Sequence, residues 1–327
     1  MHNNMWKSCA TTLLSFIFLL HTAAAQELFP LSDPASSMPK HVLGIRFFSE
    51  TYHEVTQWRN MSAVRLMYGL TPKLTTYLTA IASNHHGEDF PKEFPFHNTP
   101  ERGAIYPYKF NGAHLYLKYR FLTLDGQNKH LRVAVYGEGA YVNTTHHESE
   151  PNLEMGDNSG IGGGAIATWL NNKLAVSLTI GYIKPFHAEG YSPDPIHSLP
   201  PVPVDVRYGE ALHYAFSLGY LIYPVQYRDY RQTNINLYLE CRGKYFNHAE
   251  VTLFHKQPNE YVLSTLRYPK ALQTGFFADI SPGIQFIVRS NLRIDFSTTF
   301  RMLGFSYARL YPVYTIGIQR YFYFGKK

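Results

Sequence analysis

The chain has 327 residues, of which 45% are hydrophobic, 16% aromatic and 17% charged, and its formal net charge is +6. It is too apolar for a disordered polymer and too polar for a bundle of spanning helices. So mild a charge does not imply nucleic acid as a partner.

In chain order, Ser8 to Gln26 is the one charge-free stretch of about the ~18 residues that a spanning helix requires. A short n-region with Lys7, an apolar core from Leu13 to Leu20 and the small residues Ala23-Ala24-Ala25 describe a signal peptide over 1–25. Cys9 precedes the apolar core, whereas a lipidated cysteine follows it, so no lipid anchor is expected. Removing 1–25 takes away Lys7 and leaves a formal charge of +5. The mature chain then keeps a single cysteine, Cys241, which precludes an internal disulfide in an exported protein. A closed sheet needs no such cross-link, because it pairs every strand edge. Residues 26–40 are expected as a periplasmic N-terminal segment, and 41–327 as one transmembrane β-barrel.

After Lys40 the dominant pattern is alternation of period two, in segments long enough for a tilted strand to cross a membrane. Ala113, Leu115, Leu117, Tyr119 and Phe121 share one face, while His114, Tyr116, Lys118 and Arg120 share the other. Ile235 to Arg242 and Leu292 to Arg301 alternate in the same way, and a helix would scatter those charges around its circumference. The template predicts twelve strands, near 41–51, 59–70, 74–83, 109–121, 131–142, 160–170, 174–183, 209–221, 234–246, 275–288, 292–303 and 313–324.

Short links at 71–73, 122–130, 171–173, 222–233 and 289–291 alternate with mostly longer ones at 52–58, 84–108, 143–159, 184–208, 247–274 and 304–312. An even strand count, short turns on one side and long loops on the other describe an all-β, antiparallel up-and-down barrel of the outer membrane, with short periplasmic turns and long extracellular loops. Tyr68, Tyr119, Phe121, Trp169, Tyr220, Phe322 and Phe324 gather at the short-turn end, as an interfacial girdle would. Tyr182, Tyr214, Tyr245, Phe300 and Tyr314 make the opposite ring. The glycines Gly160, Gly162, Gly163 and Gly164 precede no helix pattern, so they read as a sharply curved barrel strand and not as a phosphate cradle.

The whole chain resembles a Gram-negative outer-membrane β-barrel, with a last strand, Tyr314 to Phe324, rich in aromatics. The resemblance implies the lipid bilayer and the barrel-assembly machinery as partners, the latter through that strand, although Gly325-Lys326-Lys327 follow the aromatic end. More narrowly, the stretches Asp33-Pro34-Ala35-Ser36-Ser37-Met38-Pro39-Lys40, Arg65 to Leu74 and Ser83-Asn84-His85-His86-Gly87 resemble transporter-like barrels of the Bacteroidetes type. These are similar to the family called MetA-pathway of phenol degradation. That resemblance implies an outer-membrane channel or transporter-like protein and carries no set of binding residues.

The alternation turns Arg46, Arg65, Lys118, Arg120, Arg132, Arg242, Lys244, Arg293 and Arg301 inward, against Glu50, Glu138, Glu240, Asp279 and Asp295. Two readings follow: a narrow basic lumen that favours anionic or polar solutes, or a ladder of ion pairs that packs the interior. Ten of the fourteen mature histidines fall in the long loops. The pairs His85-His86 and His146-His147 are candidate metal ligands, although no H-x-x-x-H or cysteine cluster accompanies them.

His147-Glu148-Ser149, with Asn152 nearby, faintly matches the His-x-Ser-Asn arrangement of outer-membrane lipid hydrolases, but Glu150 and Pro151 stand where Asn would follow Ser. The stretch Pro193 to Pro203 reads as a stiff loop that folds inward to narrow the pore. The expectation is a non-enzymatic barrel, without cofactor, for passive passage of small solutes. The alternatives are a surface protein that binds through its loops, a lipid hydrolase, and a closed barrel that docks periplasmic partners through 26–40.

Overall fold

The structure, a computed structural model, describes residues 29–54, 56–84, 107–143, 150–192, 202–226, 232–253 and 272–324. Its strands, in chain order, are β1 (Val42–Glu54), β2 (Gln57–Gly69), β3 (Leu74–Ser83), β4 (Lys109–Asp125), β5 (Lys129–Val142), β6 (Gly160–Asn171), β7 (Leu174–Pro185), β8 (Ala188–Ser192), β9 (Val202–Arg207), β10 (Ala211–Tyr223), β11 (Asn234–Phe246), β12 (Glu250–Leu253), β13 (Gly275–Val288), β14 (Leu292–Gly304) and β15 (Val313–Tyr323). Among the described residues, twelve of these close into one antiparallel barrel, in which β1 pairs with β15 from Val42 opposite Tyr323 to Thr51 opposite Tyr314. The other three, β8, β9 and β12, form a small separate sheet in the order β12-β9-β8.

The barrel strands follow the alternation in the sequence closely, and the differences lie in the loops. The link expected at 52–58 is mostly strand, because Tyr52 pairs with Arg59 and His53 with Trp58, whose rings stand 5.1 Å apart. Polar residues at these positions hide the continued alternation. The small sheet within 184–208 and 247–274 is likewise absent from the sequence expectation. Its strands are four to six residues long, and they pair with one another across the two loops. At the short-turn end, Asn172, Arg289 and Ser290 hold φ of 54, 51 and 53°. This left-handed conformation suits the twist of a tight hairpin.

The burial pattern is the reverse of a water-soluble protein. Inward positions carry Ser, Thr and charged groups that are buried, among them Arg46, Thr75, Thr79, Lys118, Ser217, Glu240 and Asp295. Outward positions carry exposed Phe47, Leu66, Leu78, Leu115, Leu117, Leu178, Phe216 and Ile318. An apolar belt on a closed sheet is stable only against an apolar solvent, and barrel closure satisfies every strand edge there. Tyr119, Phe121, Trp169, Tyr220 and Phe324 are exposed at the short-turn end, and Tyr182, Tyr245, Phe300 and Tyr314 at the other.

Candidate functional site

The segment before β1, described from Phe29, lies against inward-facing side chains at the short-turn end. A chain threaded through a barrel without joining its sheet must satisfy its main-chain groups by other means. Pro30, Pro34 and Pro39 remove three donors outright. The N–H groups of Leu31, Ala35 and Met38 donate to Glu240 at 2.9 Å, Thr168 at 2.8 Å and Thr75 at 3.0 Å.

Its carbonyls take up lumen cations: Arg46 donates to Pro30 at 2.7 Å and Lys118 to Pro34 at 2.7 Å. Arg242 reaches the Leu31 carbonyl at 3.4 Å, and Arg132 donates to the Ser36 hydroxyl at 3.0 Å. Asp33 sits 3.4 Å from Lys118, and Ser32 donates to Glu240 at 2.6 Å. Phe29 meets Tyr238 edge to face, with ring centroids 5.9 Å apart. Gly69 is required here, since a Cβ on it would stand 2.0 Å from the Pro39 carbonyl oxygen.

A second segment, residues 150–158 between β5 and β6, enters from the long-loop end. Lys244 donates to the Pro151 carbonyl at 2.8 Å, and Arg65 pairs with Glu154 at 3.2 Å. Glu150 accepts from the Ser306 hydroxyl at 2.5 Å and the Tyr307 N–H at 2.8 Å. Arg309, on the loop between β14 and β15, pairs with Asp157 at 3.3 Å and Glu50 at 3.2 Å. Burial alone would raise the Glu154 carboxyl, but the cationic Arg65 and Arg242 and the nearby His114 hold it below the usual glutamate value. Burial would likewise lower Arg309, yet Asp157 and Glu50 hold it firmly protonated.

Between the two segments lies a cavity of about 220 Å³. Phe48, Tyr77, Tyr116, Tyr136, Met155 and Phe277 supply its apolar wall. Tyr116 stacks on Tyr77 at 5.3 Å and on Tyr136 at 4.9 Å, a continuous ladder of rings. The Tyr136 hydroxyl shares a 2.5 Å hydrogen bond with His213, and His114 lies 2.9 Å from Glu138. The glycines of β6 and β7 make room for this: a Cβ on Gly181 would stand 2.0 Å from His213 and 2.1 Å from the Tyr136 hydroxyl.

The remaining residues with predicted inward positions fall into two groups. Arg46 also pairs with Asp295 at 3.1 Å, Asp279 accepts from Tyr311 at 2.6 Å, and the Arg293 guanidinium stands 5.2 Å from the Tyr321 ring centroid. Arg120 and Arg301 lie away from the chamber. Arg120 donates to the Pro72 carbonyl at 3.0 Å, while Arg301 is exposed with its guanidinium 5.3 Å from the Phe305 ring centroid.

The sequence reading counted nine inward cations against five carboxylates on the strands. With exposed Arg301 set aside, the inserted segments and the loop after β14 add Asp33, Glu150, Glu154 and Asp157 against Arg309, so these described positions hold nine buried or half-buried cations against nine carboxylates. Those five residues went unrecognised because they belong to no alternating strand. The sequence signal that bears on them was the cation excess itself, together with the proline spacing at 30, 34 and 39.

His85, His86, His146 and His147 lie outside the described residues, as do Glu148, Ser149 and most of Pro193 to Pro203. Val202 and Pro203 belong to β9. Among the described residues no group of three or more His, Cys, Asp or Glu is placed to hold a metal ion. Asn152 is engaged within the inserted segment, donating to Asp157 at 2.7 Å.

A closed antiparallel sheet with an apolar outer belt and a charged interior is the fold of an outer-membrane β-barrel. The chain shares that fold with the COG4313 outer membrane channel from Pseudomonas putida F1, at a TM-score of 0.52 and 13% identity over 90% of this chain and 100% of that one. More distant are the Ralstonia pickettii toluene transporter TbuX, at 0.34 and 11% over 92% and 94%, and Pseudomonas aeruginosa OprD, at 0.33 and 10% over 90% and 99%. No family model and no curated protein matches the sequence.

Proposed function

We propose that the protein is an outer-membrane channel that passes small solutes passively through its lumen by way of the central chamber. The observation that carries this reading is the chamber of about 220 Å³ within a twelve-stranded wall, bounded by segments held largely through side chains. Such segments can withdraw without breaking the barrel's hydrogen-bonded sheet. A dry cavity of ~150 Å³ accommodates benzene, so this chamber suits solutes somewhat larger than a single ring. Its wall offers both an aromatic face and hydrogen-bonding groups.

The mature chain begins at Gln26 after signal-peptide removal, and the assembly machinery reads β15. With both segments docked, the interior charges nearly balance. With them withdrawn, the strands' own excess of cations favours anions.

Single-channel recording of the folded, purified protein in a planar bilayer tests the reading. Discrete steps are expected, infrequent because both ends are occupied, with a reversal potential that shifts toward cations in Arg242→Ala. Silence from protein shown to be folded and inserted, or steps indifferent to Arg242→Ala, would overturn it.

A further inference from the structure

We propose that residues 150–158 are a lid across the long-loop mouth, a gate separate from the N-terminal segment and latched by Arg309. The inference extends the channel reading, but its central claim concerns a docked and releasable segment and is testable without transport.

The lid spans the lumen from wall to wall. Leu153, 1% exposed, packs with Ile183, Ala211, Phe246 and Phe277, which come from β7, β10, β11 and β13. Met155, two residues on, packs with Phe48, Met61, Ala63 and Ile81, from β1, β2 and β3. In the closed strand order these two arcs face each other across the barrel. Leu153 to Gly156 form a turn, in which the Gly156 N–H donates to the Leu153 carbonyl at 3.4 Å, and the turn sends the two side chains to different walls. Gly156, at φ of 76°, then turns the chain back toward β6.

The segment is bonded to itself and to side chains. Asn158 donates its N–H to the Asn152 carbonyl at 3.1 Å and accepts from the Asn152 N–H at 2.8 Å, closing a compact loop. Its links to the wall run through Lys244, Arg65, Arg309 and Ser306, apart from the Tyr307 N–H on Glu150. Arg309 joins the lid at Asp157 to the wall at Glu50, and its other terminal nitrogen stands 3.3 Å from Met61 Sδ. Without that guanidinium, Asp157 and Glu50 face each other as buried carboxylates with no cation between them, which disfavours the docked state.

The test is maleimide labelling from outside intact cells of Leu153→Cys in a Cys241→Ser background, with Met155→Cys as the second probe. With the lid docked both thiols react slowly, and adding Arg309→Met is expected to raise the rate about tenfold or more. Labelling in the otherwise native chain as fast as at an exposed loop cysteine, or a rate that Arg309→Met leaves unchanged, would overturn the lid.

Conductance separates this from the channel reading. Deleting residues 29–39 and adding Arg309→Met should each give a small rise, and the two together a large one. Full conductance from the deletion alone would refute a second gate while leaving the channel intact. Silence of the doubly altered, folded barrel with fast labelling would refute the channel and leave a releasable lid.

Discussion

Lys118 Nζ lies 2.7 Å from the carbonyl oxygen of Pro34, deep in the barrel, where the ammonium is essentially inaccessible to water. A charge so placed is costly unless it is hydrogen-bonded and paired, and the threaded segment supplies both the carbonyl and the Asp33 carboxylate. The strand needs the segment as much as the segment needs the strand. The same reciprocity holds between Glu240 and the N–H of Leu31.

Lys118→Met should therefore loosen the N-terminal segment while the barrel stays closed. The change removes a charge-assisted hydrogen bond to Pro34 and the ion pair with Asp33, a loss of about 1–3 kcal/mol in docking. A cysteine at Ala35, buried beside Thr168, reports it: maleimide labelling should quicken by roughly one to two powers of ten, at about 1.4 kcal/mol per tenfold. Unchanged labelling would mean that Lys118 is not what holds the segment.

Gly181→Val should displace the Tyr136 and His213 side chains, because its Cβ would fall within about 2 Å of both polar atoms. Overpacking of this kind costs roughly 1–3 kcal/mol. Gly137→Ala on β5 is the control, since its nearest contact would be ordinary, at 4.0 Å. Denaturant titrations should show a lower midpoint for the first and little change for the second. Equal midpoints would deny the Tyr136–His213 pair any structural weight.

Leu178→Arg tests the lipid face. Leu178 points outward near the middle of β7 and is 46% exposed. A cation there should cost about 2–4 kcal/mol of stability in a bilayer if it sits near the midplane. Thr179→Lys, one residue on and directed into the lumen, should cost less in the same unfolding experiment, since there the ammonium meets polar neighbours. The opposite order would invert the assigned faces.

The strands were legible because each carries its own instruction. Leu115 and Leu117 alternating with Tyr116 and Lys118 can satisfy an apolar and a polar surface at once only as a strand, and the pattern survives whatever the neighbours do. Tyr52 to Glu54 were misassigned to a loop because their pairing with Gln57 to Arg59, not their hydropathy, makes them strand. Strands β8, β9 and β12 were missed for the same reason, since each is short and is made strand by its pairing: β8 with β9 inside one loop, and β9 with β12 from another.

The candidate site divides along the same line. The inward parity of Arg46, Arg65, Lys118, Glu240, Arg242 and Lys244 was readable one strand at a time. Their partners were not, because Pro30, Leu31, Asp33 and Pro34 come from ahead of the first strand, and Pro151 and Glu154 from a loop between two others. The sequence by itself determined a closed, membrane-spanning sheet and an interior with more cations than carboxylates. Only the tertiary structure decided where that excess goes: into backbone carbonyls and carboxylates carried by two segments inside the lumen. The physical reason is that alternation is a local property, whereas the neutralisation of a buried charge depends on whichever group the closed barrel brings within about 3 Å of it.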